Sequence, residues 1–257
     1  MRVPVERAVS PAVARPRIAA LSKQAPERLP SCSAFVPVHD EEASIVAIAD
    51  GLLAVLPEVA AAWELILVDD GSRDRTPDLV DALAATRPNV RVVRHAVNRG
   101  YGAAVRAGLA ASRGEWVFFT DGDGQLDPAV LREVAARAGE ADVVVGFRAA
   151  RADAWRRRAF TFVWNRLVRG LLGIPVRDVN CAVKLVRRHL LDDFDPRAEG
   201  GAISAELLAH LVRRGARLAE LPVAHYPRRA GRASGGSPRV ALRAFAELAT
   251  IWWRLRP

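Results

Sequence analysis

Two carboxylates one residue apart, Asp121 and Asp123, stand directly after the apolar run Trp116-Val117-Phe118-Phe119. Hard divalent cations take oxygen ligands, and Mg²⁺ is commonly held by one or two carboxylates plus substrate phosphates. The pair could therefore bind Mg²⁺ or Mn²⁺ against a diphosphate. A polar turn, in which Asp and Gly satisfy nearby backbone groups, would carry the same residues. Neighbouring clusters decide between the two.

Apolar periodicity sets out the elements that would position the pair. Residues 34–38, 64–68, 90–93, 116–120 and 142–146 read as strands, and 43–56, 76–85, 100–112 and 128–138 as helices. In the first helix Ile45, Ile48, Ala49, Leu52 and Leu56 recur at helical spacing, and Pro128 suits the first turn of the fourth. Alternation of strand and helix predicts an α/β fold with a mostly parallel sheet covered by helices. Ligands of such sheets bind outside the carboxyl ends of the strands. The polar clusters fall there: His39-Asp40-Glu41, Asp69-Asp70, Asp121 with Asp123, and Arg148. Four clusters at one sheet edge favour a metal–nucleotide site over unrelated surface turns. Asp70 is read only as shaping the Gly71 turn. Gly100 and Gly102 resemble a dinucleotide loop, but Val105 replaces its third glycine, so a tight strand–helix turn suffices.

The chain has 257 residues, 51% apolar and 26% charged, enough for one α/β domain with a substantial core. Residues 1–31, with five prolines before Ser31 and no apolar signal core, are expected to form a disordered tail. Residues 32–257 are the expected domain. Cys32 and Cys181 are the two cysteines, which argues against a disulfide framework and for a reducing compartment. The net charge of +9 is almost all arginine, since Lys23 and Lys184 are the two lysines. Such charge fits a phosphorylated substrate, an anionic membrane surface or nucleic acid. Acidic clusters at strand ends would repel a nucleic-acid backbone unless a metal intervened, so nucleic acid is not expected as a partner. No apolar run approaches the roughly 18 residues that span a bilayer.

The second half differs. Residues 153–172 read as a helix with Phe160, Val163, Trp164, Leu167, Val168 and Leu171 on one face and Arg156, Arg157, Arg158, Arg166 and Arg169 on the other. Residues 238–255 place Ala241, Phe245, Leu248, Trp252 and Leu255 along one stripe. Four of the six tryptophans lie in these two segments. Basic amphipathic helices with Trp can rest in a membrane interface. Most of each stripe is expected to pack on the sheet, with interfacial contact over part of each helix.

The ordered motifs resemble family 2 glycosyltransferases of the GT-A (Rossmann-like) fold, near the dolichyl- and polyprenyl-phosphate mannose or glucose synthases. Val36-Pro37-Val38-His39-Asp40-Glu41-Glu42 resembles "VPxYNEE", with His and Asp replacing Tyr and Asn. Residues 67–76 resemble "VDDGSxDxT", residues 98–108 "NxGxGxAxxxG", and residues 121–128 "DxDxQxxP". Residues 145–148 match "GxR", 176–178 "VxD", and 225–234 are similar to "PRxxGxS".

The resemblance implies roles. Pro37, His39 and Glu41 would line the nucleotide pocket, and Asp69 would hydrogen-bond the base. Asp121 and Asp123 would hold Mg²⁺ or Mn²⁺ and the diphosphate, with Gln125 beside them. Arg148, Lys184 and Arg228 would meet the acceptor phosphate, and Glu206 matches a glutamate of the preceding helix. Asp178 is the candidate base if the acceptor is a hydroxyl; His225 is read as structural. Arg229 and Arg232 are read as solvated charge. The implied reaction is inverting transfer of a hexose from GDP-mannose or UDP-glucose to a lipid-linked polyprenyl phosphate. An anionic acceptor needs no strong base. The alternative acceptor is a sugar hydroxyl of an envelope glycan or glycolipid. A nucleotidyltransferase would instead carry a basic, glycine-rich loop after the first strand. The expected location is cytoplasmic, peripheral on the inner face of the plasma membrane.

Overall fold

Runs of Val, Ile, Leu and Phe long enough to be buried on both faces build a central sheet in the computed structural model, which describes residues 28–149, 155–228 and 238–256. Among the described residues seven strands and seven helices follow one another: β1 (Leu29–Val38), α1 (Ile45–Val59), β2 (Ala60–Asp69), α2 (Thr76–Thr86), β3 (Val90–Arg94), α3 (Tyr101–Ala111), β4 (Trp116–Phe119), α4 (Val130–Ala135), β5 (Val143–Arg148), α5 (Trp155–Leu172), β6 (Lys184–Arg187), α6 (Ile203–Arg213), β7 (Leu218–Val223) and α7 (Pro238–Arg254). The strand order is β3-β2-β1-β4-β6-β5-β7. Among these, β6 alone is antiparallel to its neighbours.

Successive strand residues face opposite sides, so each strand feeds two cores. Val36 and Leu67 pack with Ile45, Leu52 and Leu56 of α1 and Leu131 of α4. Phe35, Ile66 and Phe119 pack on the other face with Val105 of α3, Trp164 of α5, Leu208 of α6 and Leu248 of α7. Phe35 and Phe119 stack at 5.0 Å across adjacent strands.

Several boundaries differ from expectation. β1 starts at Leu29 and β2 at Ala60, because the two pair in register from Leu29 opposite Ala60 onward. Polar Ser31 and Ser33 fit this strand because their hydroxyls accept the Glu115, Arg113 and Gly114 N–H groups. The end of the expected tail is therefore strand; residues 1–27 lie outside the described residues. α4 is shorter than 128–138, since three-residue turn bonds flank both its ends. β6 and β7 carry charged or proline residues (Lys184, Arg187, Glu220, Pro222) that interrupt any apolar reading.

α5 and α7 divide their apolar residues. Phe160, Trp164 and Phe245 form an aromatic contact between the two helices, with centroids 5.7–6.5 Å apart. Val163, Leu167 and Leu171, expected on the packed stripe, stay exposed, as do Phe162 at 66%, Leu242 at 73% and Trp253 at 71%. No helix among the described residues is long and apolar enough to cross a membrane. Residues 153–154, Arg229 and Arg232 fall outside the described residues.

Candidate functional site

The carboxyl ends of β1, β4 and β5 open into a cavity of about 790 Å³. Pro37, His39 and Glu41 line it from β1 and its following loop, Asp121, Asp123 and Gln125 from the loop after β4. Arg148 enters at the end of β5, and Arg228 beyond β7. The reversed strand β6 brings its first residue, Lys184, opposite Phe119 and Val145, behind the same edge.

The glycine spacer between the two aspartates packs closely on β1. A Cβ on Gly122 would lie 2.7 Å from Val38 Cγ1, so any larger residue there would have to displace the loop or the valine. Ser44 Oγ donates to the Gly122 carbonyl at 2.7 Å and pins that loop to the start of α1. Tyr101 OH donates to Asp121 Oδ1 at 3.1 Å. Burial and the neighbouring Asp123 charge push the Asp121 carboxyl up to about 6. Burial, opposed by Arg228 and assisted by Asp123, also raises Glu41 above its ordinary value. Buried oxygens held close together in this way call for a cation.

Arg228 supplies one such charge. Its Nη2 lies 3.1 Å from both Asp123 Oδ2 and Glu41 Oε1. Gln125 positions this contact: its side-chain amide donates to the Tyr226 carbonyl at 3.2 Å, and its own carbonyl accepts the Tyr226 N–H at 2.9 Å. Gln125 thus staples the aspartate loop to the segment carrying Arg228.

Arg148 and Asp178 form a bidentate pair, Nε to Oδ2 at 2.7 Å and Nη2 to Oδ1 at 2.9 Å. Burial acts to lower the Arg148 pKa, but Asp178 outweighs it and holds the guanidinium charged. Both oxygens of Asp178 are thus engaged by Arg148. Lys184 is fully buried, donates to the Cys181 carbonyl and lies 5.3 Å from the Phe119 ring centroid. It underlies the site and does not line the cavity.

Asp70, expected only to shape a turn, lines the cavity, with Asp69 buried beside it. Asp69 is buried, with Oδ1 accepting the Ser72 N–H at 3.0 Å and Oδ2 accepting Arg94 Nε at 2.9 Å. Asp70 lines the cavity, accepts the Arg99 and Gly100 N–H groups at 3.0 and 2.8 Å, and meets His95 Nδ1 at 2.6 Å. Its carboxylate builds the approach to α3, while the Gly71 turn expected of it is closed by Asp69, which accepts the Ser72 N–H. Gly100 and Gly102 likewise serve packing. A Cβ on Gly102 would fall 2.4 Å from the Ala198 carbonyl oxygen, and its N–H donates to the Glu199 carbonyl at 2.8 Å. Tyr101 was detectable as an aromatic at the first position of a glycine-led helix, although nothing in the spacing linked it to Asp121. His39 lines the cavity with a buried Nδ1 that has no hydrogen-bond partner. His225 lines it as well.

The donor set suits a hard divalent cation: Asp121 and Asp123 offer carboxylate oxygens, and nucleotide phosphates would complete the shell. Among the described residues no cluster of three or more His, Cys, Asp or Glu could hold a metal without such help.

The sequence profile described as glycosyl transferase family 2 matches residues 33–194. An undecaprenyl-phosphate 4-deoxy-4-formamido-L-arabinose transferase of Pseudomonas aeruginosa is 39% identical over 164 residues, 62% of this chain and 48% of its own length. The enzyme of the same name from Shewanella sediminis is 35% identical over 162 residues, 62% of this chain and 49% of its own. The chain therefore spans about half the length of these curated relatives. Glucosyl-3-phosphoglycerate synthase of Mycobacterium tuberculosis, crystallised with Mn²⁺, UDP and phosphoglyceric acid, superposes with a TM-score of 0.67 at 23% identity over 86% of this chain and 78% of its own. This likeness is one of fold, the expected GT-A arrangement. With the profile running from β1 through β6 and across Glu41, Asp70, Asp121 and Asp123 of the cleft, the chain belongs to glycosyl transferase family 2.

Proposed function

We propose that this protein transfers a sugar from a nucleotide diphosphate sugar to a polyprenyl phosphate at a membrane surface, with inversion at the anomeric carbon. The observation that carries the reading is a cation site and an anion site in one cleft: Asp121 with Asp123, and Arg148 held by Asp178. A Mg²⁺ or Mn²⁺ bound by Asp121 and Asp123 would neutralise the departing diphosphate. Arg148 would orient the acceptor phosphate, an already anionic nucleophile for which no general base is required. The engagement of Asp178 by Arg148 favours this acceptor over a sugar hydroxyl. Arg228 would exchange its carboxylate partners for substrate phosphate. Lys184 would act on the acceptor phosphate only through its buried charge. Pro37, His39 and Glu41 would frame the nucleotide, and Asp69 would read the base by releasing Arg94.

The names of the curated relatives support a polyprenyl-phosphate acceptor and widen the donor. Mannose from GDP-mannose and glucose from UDP-glucose stand beside a nucleotide-linked 4-deoxy-4-formamido-L-arabinose. The exposed apolar residues of α5 and α7, set among arginines, would rest on an anionic bilayer face, giving peripheral attachment at the inner face of the plasma membrane.

A thermal-shift comparison of GDP and UDP, each with Mn²⁺, tests the donor half. Ligand at a hundred times its dissociation constant stabilises by about 2.7 kcal/mol, so one nucleotide should raise Tm by several degrees, and only with metal. No rise with any nucleotide diphosphate would contradict the proposal.

A further inference from the structure

Four consecutive backbone N–H groups between β6 and α6 are all received by two carboxylates. Arg197 and Ala198 donate to Glu206 of α6 at 2.9–3.1 Å. Glu199 and Gly200 donate to Oε1 of Glu247 on α7 at 3.2 and 3.1 Å. Arg243, one turn before Glu247, bonds the same Oε1 at 3.1 Å and pairs with the Glu199 carboxylate. Arg254, near the end of α7, pairs with Glu206. The segment 197–200 is thus strapped to α6 through Glu206, itself paired with Arg254 of α7, and directly to α7 through Glu247.

The other side of the strap bears on the cleft. The Glu199 carbonyl accepts the Gly102 N–H, and Gly102 admits it because a Cβ there would collide with the Ala198 and Glu199 backbone. Between Gly100 and Gly102 stands Tyr101, whose hydroxyl donates to Asp121 Oδ1. Glu199 and Gly200 themselves line the cavity. A continuous set of hydrogen bonds therefore runs from α7 through the strap and the α3 N-terminus to the first aspartate of the pair.

We infer that Glu247 is a positioning residue for the donor half of the site: by holding the strap against Gly102 it fixes Tyr101 on Asp121, and so sets the affinity of the cleft for a nucleotide diphosphate with its metal. The inference rests on the nucleotide-diphosphate reading given above. Nothing in the motifs singles out Glu247, which sits on the polar side of an amphipathic helix. An exposed helical glutamate paired only with Arg243 at i−4 would be worth a few tenths of a kcal/mol and would leave the cleft untouched. Two backbone N–H groups of another segment, received by one oxygen, are the difference.

The test compares Glu247→Ala, Glu247→Gln and the parent chain in two readouts. Hydrogen exchange over residues 100–104, with no ligand present, should speed up in Glu247→Ala and stay near the parent rate in Glu247→Gln, whose amide oxygen still accepts the strap. The dissociation constant for UDP or GDP with Mn²⁺, whichever the parent binds, should rise about tenfold in Glu247→Ala and less than threefold in Glu247→Gln, as expected of a misplaced site group. Unchanged exchange at 100–104 in Glu247→Ala overturns the inference whatever the ligand does. Unchanged nucleotide affinity in that variant also overturns it and leaves the proposed function standing. Failure of the parent chain to bind either nucleotide removes the proposed function, and the inference with it. If Glu247→Ala does not fold, Glu247→Gln with Arg243→Ala, which retains the acceptor and loses the ion pair, should keep the parent affinity; a tenfold loss there would place the effect in the ion pair and overturn the role given to the strap.

Discussion

Arg228 Nη2 lies 3.1 Å from Asp123 Oδ2 and equally close to Glu41 Oε1, so a side chain of the protein faces the carboxylates a divalent cation would neutralise. Charge of either origin stabilises the same oxygens, and the two compete. Arg228→Gln should tighten Mn²⁺ binding to the nucleotide-free protein by about three- to tenfold, a gain of the size expected for a close charge at partly screened distance. Sugar transfer should fall in the same variant through loss of a phosphate contact. Titration of Mn²⁺ by calorimetry checks the first part, and weaker Mn²⁺ binding would count against the competition.

Asp178 offers a second discrimination. Both its oxygens face Arg148, at 2.7 and 2.9 Å, and the role proposed for it is to aim the guanidinium. Asp178→Asn should lower transfer roughly 10- to 100-fold by loosening Arg148, yet keep the shape of the pH–rate profile. Loss of the acidic limb of that profile would identify a general base instead and revive a hydroxyl acceptor.

Lys184 should leave a mark on stability. Burial lowers its pKa from 10.5 to about 8 in the folded protein, with Cys181 and Asp178 opposing. The unfolded chain keeps the proton up to the ordinary value, so between about pH 8 and 10.5 the unfolded state binds more protons. Stability from this group therefore rises with pH across that window and is lost as pH falls through 8. Lys184→Met should remove the slope. The difference between the two proteins in urea-derived stability should move by about 3 kcal/mol in favour of the parent from pH 8 to 10.5. A constant difference would show that Lys184 titrates normally.

Legibility in the sequence followed the type of interaction. The run 116–119 and the spacing of Ile45, Leu52 and Leu56 were readable because burial is a property of the residues themselves. The four polar clusters were readable because a parallel sheet collects its strand ends at one edge. β6 was not, since a reversed four-residue strand is defined by its pairing with Phe119 and Val145, far along the chain. Asp69 and Asp70 are adjacent, identical in type and both buried, and only the position of Arg94 and of the Arg99–Gly100 backbone separates the arginine-paired one from the cleft-lining one. Gln125 reads as a ligand-side residue by its place beside Asp123, while its amide in fact joins two loops 101 residues apart. Glu247 carried no signal, because the groups it receives are backbone.

Transfer of labelled sugar to polyprenyl phosphate in vesicles, with and without Mn²⁺, tests the central claim most directly. The parent chain should form labelled lipid from one nucleotide sugar among GDP-mannose, UDP-glucose and the 4-deoxy-4-formamido-L-arabinose donor. Chelation of the metal should stop the reaction. Asp123→Ala, folded by circular dichroism, should form none. Labelled lipid at the parent rate in Asp123→Ala, or none from any donor with the parent chain, would contradict the account.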